Sequence, residues 1–421
     1  MITSEINLIL NDTKKNKLYL LNPAYIKEIF FIEDISKYFI TGQFDFEDRG
    51  GVFDAVPVTG HELIEVEVIQ NIFEDEYDKR KLEKKLIFEI FDIKLVNSPN
   101  AQIKNYRISL VEQGFFELIG SNFSVGYKEK KISEIIELII KYQLNAEKNQ
   151  IKYDIEETDE KIDFISPYWK PATAISYLSK IACRNKSPKE SGFIFYSCLE
   201  NKDETRPIKK FTSLATILEQ KPLIGPSDRF YLRDNNKSPY YYNNILEMKN
   251  PSYLDKKGFS IGLRGRTLFG INFHTDKKIL KESITLSDFA KKAIFLGETL
   301  PFIKDIENSS SDVQTTGLYN LNQIKNTINH KFRIDFSSIN IREICCKGIL
   351  DRWAGRVIEI EEGSTKPNEI INEKMSGIWL IKKVVHHFSM GEYNQKMVIL
   401  KDSYTKFDTD AGLISAGRKN V

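Results

Sequence analysis

Leu63-Ile64-Glu65-Val66-Glu67 is echoed near the other end of the chain by Val357-Ile358-Glu359-Ile360-Glu361. Each pentapeptide is followed by a second strand-like run, Leu86 to Leu95 in one case and Ile378 to Phe388 in the other. A third run comes after a polar gap, Tyr106 to Val111 and Tyr393 to Leu400. The spacings agree as well, with 23 residues from Leu63 to Leu86 and 21 from Val357 to Ile378. Alternating Ile, Val and Glu is the ordinary dress of a half-buried strand, because side chains point to opposite faces with period two. The ordered triplet carries more information than the pentapeptide. It predicts two similar β modules with unlike material between them, an arrangement that points to assembly rather than chemistry.

At 421 residues the chain exceeds one ordinary core, and its length predicts about two to four domains. An apolar content of 41% with 12% aromatics is enough for packed cores and excludes wholesale disorder. Sixty-one basic and 59 acidic residues leave a net charge of +2, so the total predicts neither a nucleic-acid nor a membrane surface. Cys183, Cys198, Cys345 and Cys346 have no metal-ligand spacing, and adjacent Cys345 and Cys346 are badly placed to bridge one another. They read as small buried hydrophobes in a reducing compartment. The N-terminus lacks the pattern of a secretory signal, and no apolar run approaches the ~20 residues that span a bilayer. Folding in a cytoplasm is the expectation.

Residues 1 to about 120 read as mostly β. Val56-Pro57-Val58, Leu63 to Ile69, Leu86 to Leu95 and Tyr106 to Val111 are short alternating runs separated by polar breaks. Asp48-Arg49-Gly50-Gly51 reads as a turn, and Glu74 to Lys85 as a solvated hairpin loop. The texture then changes. Ile132, Ile135, Ile136, Ile139 and Ile140 share one helical face, which predicts an amphipathic helix over about Lys131 to Asn145. Pro171 opens a second helix with Ala174, Ile175, Leu178, Ile181 and Ala182 as its buried stripe. Gly192 to Tyr196 is a short apolar strand, and Phe211 to Leu218 a strand-to-helix passage. Ser227 to Asn250 shows little periodicity, and Leu286 to Phe295 reads as helical. Asn308 to Asp312 reads as a linker, with β texture beyond it to about Tyr404 and a polar tail after that.

No catalytic constellation emerges. His61-Glu62 lacks the second histidine of a zinc-protease helix. His386 and His387, adjacent on a strand, face opposite ways and cannot readily chelate one ion, so a structural or surface role is expected. Glu65 with Glu67, and Glu359 with Glu361, place paired carboxylates on one strand face. A glycosidase uses two carboxylates about 5 to 9 Å apart, but the wet face of a half-solvated sheet gives the same pattern. Gly262-Leu263-Arg264-Gly265-Arg266 lacks the Lys-Ser/Thr of a phosphate loop. Tyr240-Tyr241-Tyr242 fits a contact surface or edge packing equally well. No catalytic, cofactor-binding or metal-binding residue is assigned.

Four stretches resemble the central baseplate hub proteins of contractile-tailed bacteriophages. The first runs from Ile40 through Asp48 to Pro57 and Gly60-His61-Glu62-Leu63. The second is Tyr106 to Glu112 with Ser124 to Lys128 and the isoleucine helix after it. The most specific is Phe164 to Ile175, followed by Gly192 to Tyr196 and Phe211-Thr212-Ser213-Leu214. The fourth is Gly377 to Ile381 through His386, ending at Leu400 to Tyr404. Together they cover about two thirds of the chain, and it is their order that carries the resemblance; Ser227 to Gly297 matches poorly. The resemblance implies a mainly β fold with an α/β insertion, in which two tail-tube-like β-barrels flank a mixed α/β region. The expected parts are residues 1–120, a first barrel; 121–307, an inserted α/β region of one or two subdomains that either stands apart or lends a part to the second barrel; 308–405, a second barrel; and 406–421, a tail. It further implies a non-enzymatic homotrimer in the virion tail, assembled in the host cytoplasm, whose six barrels join a sixfold tail tube or tube initiator to a threefold spike. DNA would transit the lumen without specific binding, and this chain would not enter a membrane. The alternatives are a hub of a related contractile injection or secretion machine, a cell-wall glycosidase, and a receptor-binding tail protein.

Overall fold

A computed structural model describes residues 2–12, 17–55, 62–73, 79–100, 102–200, 206–222, 229–232, 245–249, 265–271, 279–297, 311–313, 321–337, 340–362, 376–389 and 391–403. The first part of the chain is β1 (Ile2–Asp12), β2 (Lys17–Leu21), β3 (Ile26–Asp34), β4 (Thr41–Asp48), β5 (Leu63–Phe73), β6 (Lys79–Asn100) and β7 (Ile103–Glu112). Strict alternation sets their faces. In β4, Phe44 and Phe46 point inward while Asp45 and Glu47 remain partly exposed; in β5, Ile64, Val66, Val68 and Ile72 are buried. Each such side chain removed from water contributes about 1.5–3 kcal/mol. The Asp48 turn forms as its sequence requires. The Asp48 carboxylate accepts from the amides of Gly50, Val52 and Phe53, and Gly51 takes the positive φ that its missing Cβ permits. The short helix α1 (Val52–Ala55) follows.

α2 (Phe115–Gly120) leads into the insertion. Its elements are β8 (Gly126–Lys131), α3 (Ile132–Gln143), β9 (Lys152–Ile155), β10 (Lys161–Ile165), α4 (Pro171–Ile181), β11 (Phe193–Cys198), β12 (Ile208–Ser213) and α5 (Leu214–Leu218). The isoleucine face of α3 and the stripe of α4 form one core, as their periodicity predicts. Next come β13 (Arg229–Leu232), β14 (Glu247–Lys249), β15 (Gly265–Ile271), β16 (Ile279–Thr285), α6 (Leu286–Ala290), β17 (Ser311–Val313) and α7 (Leu321–Phe336). The chain returns to β structure with β18 (Asn340–Lys347), β19 (Val357–Glu362), β20 (Gly377–Ser389) and β21 (Glu392–Lys401).

Several expectations are corrected. Lys79 to Lys85 is the first third of the long strand β6, not a solvated loop: the strand pairs with β5, and Leu82 and Lys84 turn inward. Ser311 and Asp312 sit in strand β17, which pairs with β15, rather than in a linker. The helix expected over Leu286 to Phe295 stops at Ala290. The β texture beyond Asn308 is interrupted by α7, whose Ile324, Ile328 and Phe332 pack into the core of the insertion. Among the described residues no helix is long and apolar enough to cross a membrane.

Strands from both ends of the chain join one sheet in the order β14-β18-β21-β20-β3-β4-β7-β6-β5-β1-β2, with β19 paired to β20 and β13 to β19, 13 strands in all among the described residues. Smaller sheets, β10-β8, β11-β12-β9 and β16-β15-β17, belong to the insertion and the stretch after it. The protein is thus mainly β with a mixed α/β insertion.

Candidate assembly interface

The echo seen in the sequence is a structural duplication. β4-β7-β6-β5 and β18-β21-β20-β19 have the same strand order, each ending in a three-stranded antiparallel meander. One rung crosses the first set through Ile29, Phe44, Ile108 and Ile93. Its counterpart crosses the second through Met248, Ile344, Met397 and Val384. Leu63 pairs with Glu89 as Val357 pairs with Leu380, so the two pentapeptides align residue for residue. One irregularity repeats as well. β6 slips against β7 between Ile90 and Asp92, and β20 slips against β21 between Ile381 and Lys383. A bulge re-aims a strand, and its recurrence at matching positions ties the two modules together more tightly than any shared residue type. The match ends at the outer strand, since β1 lies antiparallel to β5 while β13 lies parallel to β19.

The modules are joined where β3 pairs along Lys383 to Ser389 of β20. The centre of the seam is polar and buried. Glu33 and His386 are both 0% exposed, and His386 Nε2 lies 2.7 Å from Glu33 Oε1. Glu33 Oε2 accepts from the amides of Leu199, at 2.8 Å, and Ala354, at 3.3 Å. On the far side of the imidazole, Nδ1 lies 2.7 Å from the Tyr393 hydroxyl, which in turn accepts from Gln395 Nε2 at 3.0 Å. One tautomer satisfies all of these: Gln395 donates to Tyr393, Tyr393 to Nδ1, and Nε2–H to the carboxylate. Phe31 stacks on the imidazole with ring centroids 4.5 Å apart. Burial pushes the Tyr393 hydroxyl well above its ordinary pKa, so it keeps the proton it donates.

The loop between β18 and β19 plugs the first module. Its Ile349 and Leu350 lie in that module's core, held by two glutamines, one from each module. Gln70 accepts from the Leu350 amide and donates to the Gly348 carbonyl, both at 2.9 Å. Gln395 accepts from the Ile349 amide at 3.0 Å and donates to its carbonyl at 2.8 Å. The insertion is tied in by buried lysines. Lys209 pairs with Glu112 at 2.8 Å over the ring of Phe39, and Lys84 donates to the Glu200 carbonyl at 3.1 Å. Burial depresses the pKa of both lysines.

At the opposite end of the first module the surface is apolar. Phe91, Leu95 and Val96 of β6 are 57%, 55% and 54% exposed, and Phe91 stacks on Phe116 of α2. Beneath them burial, reinforced by the neighbouring Glu117 carboxylate, raises Glu89 to about 7. Lys209 and the amides of Gly114 and Phe116 oppose that rise. Because the folded pKa lies above the ordinary carboxylate value, the stability this group contributes is full below about pH 4.5. It is lost as pH rises through about 7. Glu89→Gln is therefore expected to be stabilising relative to wild type at pH 8, by about 1–2 kcal/mol after discounting its partial exposure, and neutral near pH 4.5. Urea unfolding at the two pH values checks this.

The carboxylates and histidines singled out in the sequence do not converge. Glu65 pairs with Lys85 at 2.6 Å and Glu67 accepts from Asn7 at 3.3 Å, on the solvent side of β5. His387 faces away from buried His386 and lies 3.3 Å from Glu28. Arg266 lies in β15 and bonds Asp335, while 262–264, His61 and Tyr240 to Tyr242 fall outside the described residues. Among the described residues no group of three or more His, Cys, Asp or Glu side chains is placed to hold a metal. Sequence reasoning passed over Glu33. Its signal was parity: Ile29, Phe31 and Glu33 share one face of β3, and Val384, His386 and Phe388 one face of β20, so an acid and an imidazole both point into an apolar core.

No family model and no curated protein matches the sequence. Solved structures do match the fold. A tail protein from Neisseria meningitidis MC58 superposes with a TM-score of 0.58 at 10% identity, covering 94% of this chain and 97% of that one. The 43 kDa tail protein of prophage MuSo2 from Shewanella oneidensis gives 0.57 at 9% identity, over 95% and 99% of the two chains. A Francisella PdpA-VgrG complex in its half-lidded form gives 0.52 at 10% identity, covering 97% of this chain and 60% of that chain. Over nearly its whole length the chain has the fold of these two tail proteins.

Proposed function

We propose that the chain is the structural hub of a phage tail baseplate, a homotrimer that adapts a sixfold tail tube to a threefold spike. The observation that carries this reading is the duplicated module. Each copy brings two equivalent sets of strands, so a closed ring of three copies presents six similar modules above and three identical chains below. The lumen of such a ring transmits DNA, and a chain of net charge +2 suits a channel that does not grip phosphates. Its partners are further copies of itself, the tube or its initiating protein, and the spike. The chain acts as a scaffold rather than an enzyme, a reading supported by the engagement of Glu65 and Glu67 with neighbours on the wet face of β5. The likeness to the PdpA-VgrG complex favours one second reading, a hub of a related contractile injection machine built by the same symmetry argument.

Light scattering on the purified protein tests the stoichiometry. With a chain mass of 48.8 kDa, the expected particle is about 150 kDa with six similar lobes in negative-stain images. A particle of two or four chains would overturn the adaptor reading.

A further inference from the structure

We infer that the end of the β8–β10 ribbon and the turn after it, centred on Ile165 and Tyr168, form a docking surface for an acidic segment of another protein. The surface lies in the insertion and rests on no feature of the duplicated modules. Ile165 is 72% exposed, Tyr168 69% and Val125 40%. Register and backbone hydrogen bonds bring the three together. Ile165 stands opposite Gly126, the Ser166 amide donates to the Val125 carbonyl at 3.0 Å, and the Tyr168 amide to the Ser166 carbonyl at 3.0 Å. Gly126 has no side chain to cover Ile165, although a Cβ there would lie 3.8 Å from its Cγ1, in ordinary contact. Single exposed apolar residues are normal on a surface, whereas a contiguous group marks a place of contact.

The backbone adds a second observation. Tyr168 is held at φ of +56°, an outlier for so bulky a side chain. Strain of this kind persists only where the surroundings over-determine it, and here they do. The buried Ser166 hydroxyl donates to the Phe123 carbonyl at 3.1 Å, and the Phe123 amide donates to the Trp169 carbonyl at 3.0 Å. Trp169 in turn packs edge-on against Tyr177, with ring centroids 5.5 Å apart. The strained turn thus presents an aromatic ring that gains little packing inside the chain. A pre-set aromatic anchor has little freedom to lose on binding, and such anchors carry protein interfaces; a lipid surface requires no fixed turn. Charge selects the partner. Lys128, Lys161 and Lys170 are exposed around the patch and have no ion-pair partner among the described residues. The ribbon's acids are Glu129 and Asp163, and Asp163 already accepts from the Glu129 amide at 2.8 Å, so basic charge is in excess. A like patch on a second copy would bring lysine onto lysine. The surface that fits carries carboxylates around an apolar residue.

Two variants test this. Tyr168→Gly removes the ring and suits a positive φ, so its urea midpoint should equal or exceed that of the wild type. Lys170→Glu reverses one charge at the start of α4, where an acid is favourable to the helix. The probe is a displayed library of random peptides selected on the purified full chain. The expected result is enrichment of peptides with Asp or Glu flanking an apolar residue. Their affinity should fall at least about tenfold with either variant, and fall again as salt is raised. Failure to enrich any peptide, enrichment without acidic residues, or equal binding to both variants overturns the inference. So does a urea midpoint clearly lowered by Tyr168→Gly, which would make the ring a packing residue. Wild-type chain that sediments with phosphatidylglycerol vesicles while Tyr168→Gly does not would give the patch to a membrane instead. An oligomer lost in light scattering of Tyr168→Gly would give it to a second copy.

Discussion

Glu33→Ala is expected to destabilise the protein by about 3–5 kcal/mol, the cost typical of removing one partner from a buried charged network. The loss is not that of one contact. Three donors converge on this carboxylate, His386 Nε2 and the amides of Leu199 and Ala354, and none has room to find water where Glu33 and His386 are 0% exposed. Each buried donor left unsatisfied costs about 1–3 kcal/mol. Glu33→Gln retains one carbonyl acceptor and the side-chain volume, and should lose about half as much by the same reckoning. The measurement is the urea midpoint of the three proteins at pH 7. A loss below about 1 kcal/mol for the alanine variant, the range of an exposed pair, would show that the seam does not depend on this carboxylate. The donors come from β20, from the insertion after β11, and from the loop before β19. Removal of Glu33 should therefore loosen all three regions together, which hydrogen exchange at Leu199 and Ala354 would register.

Gly355→Ala is expected to cost about 2–5 kcal/mol, from two causes that add. Gly355 has φ of +92°, a conformation unfavourable to L side chains by roughly 1–2 kcal/mol. A Cβ there would also stand inside contact distance of the Tyr196 hydroxyl and 3.1 Å from its Cζ, an overpacking typically worth about 1–3 kcal/mol. The two causes separate in a double-mutant cycle. Tyr196→Phe removes the clashing oxygen but leaves the close ring carbons and the backbone strain, so the combination should recover only part of the steric cost. If Tyr196→Phe restores nothing, the hydroxyl clash does not contribute. The Gly355 amide also donates to the Ile381 carbonyl at 2.8 Å, beside the bulge of β20. Hydrogen exchange of that amide would report local opening before global unfolding does.

The duplication was legible because it is written in backbone periodicity. Leu63 to Glu67 and Val357 to Glu361 alternate for the same reason, one face wet and one face buried, and their register agrees in the structure. The isoleucines of α3 and the stripe of α4 were equally plain, since wide apolar faces on helices leave a strong signal. α7 was not. Its apolar stripe is narrow, Ile324, Ile328 and Phe332, and the rest of Leu321–Phe336 is polar enough to resemble a loop. Lys79 to Lys85 misled for the opposite reason: lysines at high density look solvated, yet Lys84 is 0% exposed because the Glu200 carbonyl awaits it across more than a hundred residues. The seam itself lay beyond sequence reading. Glu33 and His386 stand 353 positions apart, and nothing local in either strand names the other.

That separation has a consequence for how the protein is made. A ribosome adds roughly 5–20 residues per second, so the 353 positions between Glu33 and His386 correspond to about 20–70 s of synthesis. Throughout that interval β3 has emerged and paired with β4, but its other side waits for a strand not yet translated. Nascent chains on one message then carry raw strand edges close together, the condition under which wrong pairings between neighbours compete with the right one. Truncation before β20 should release an aggregation-prone fragment rather than an independent first module, and shielding of nascent β3 becomes as much a requirement for a working particle as the finished fold.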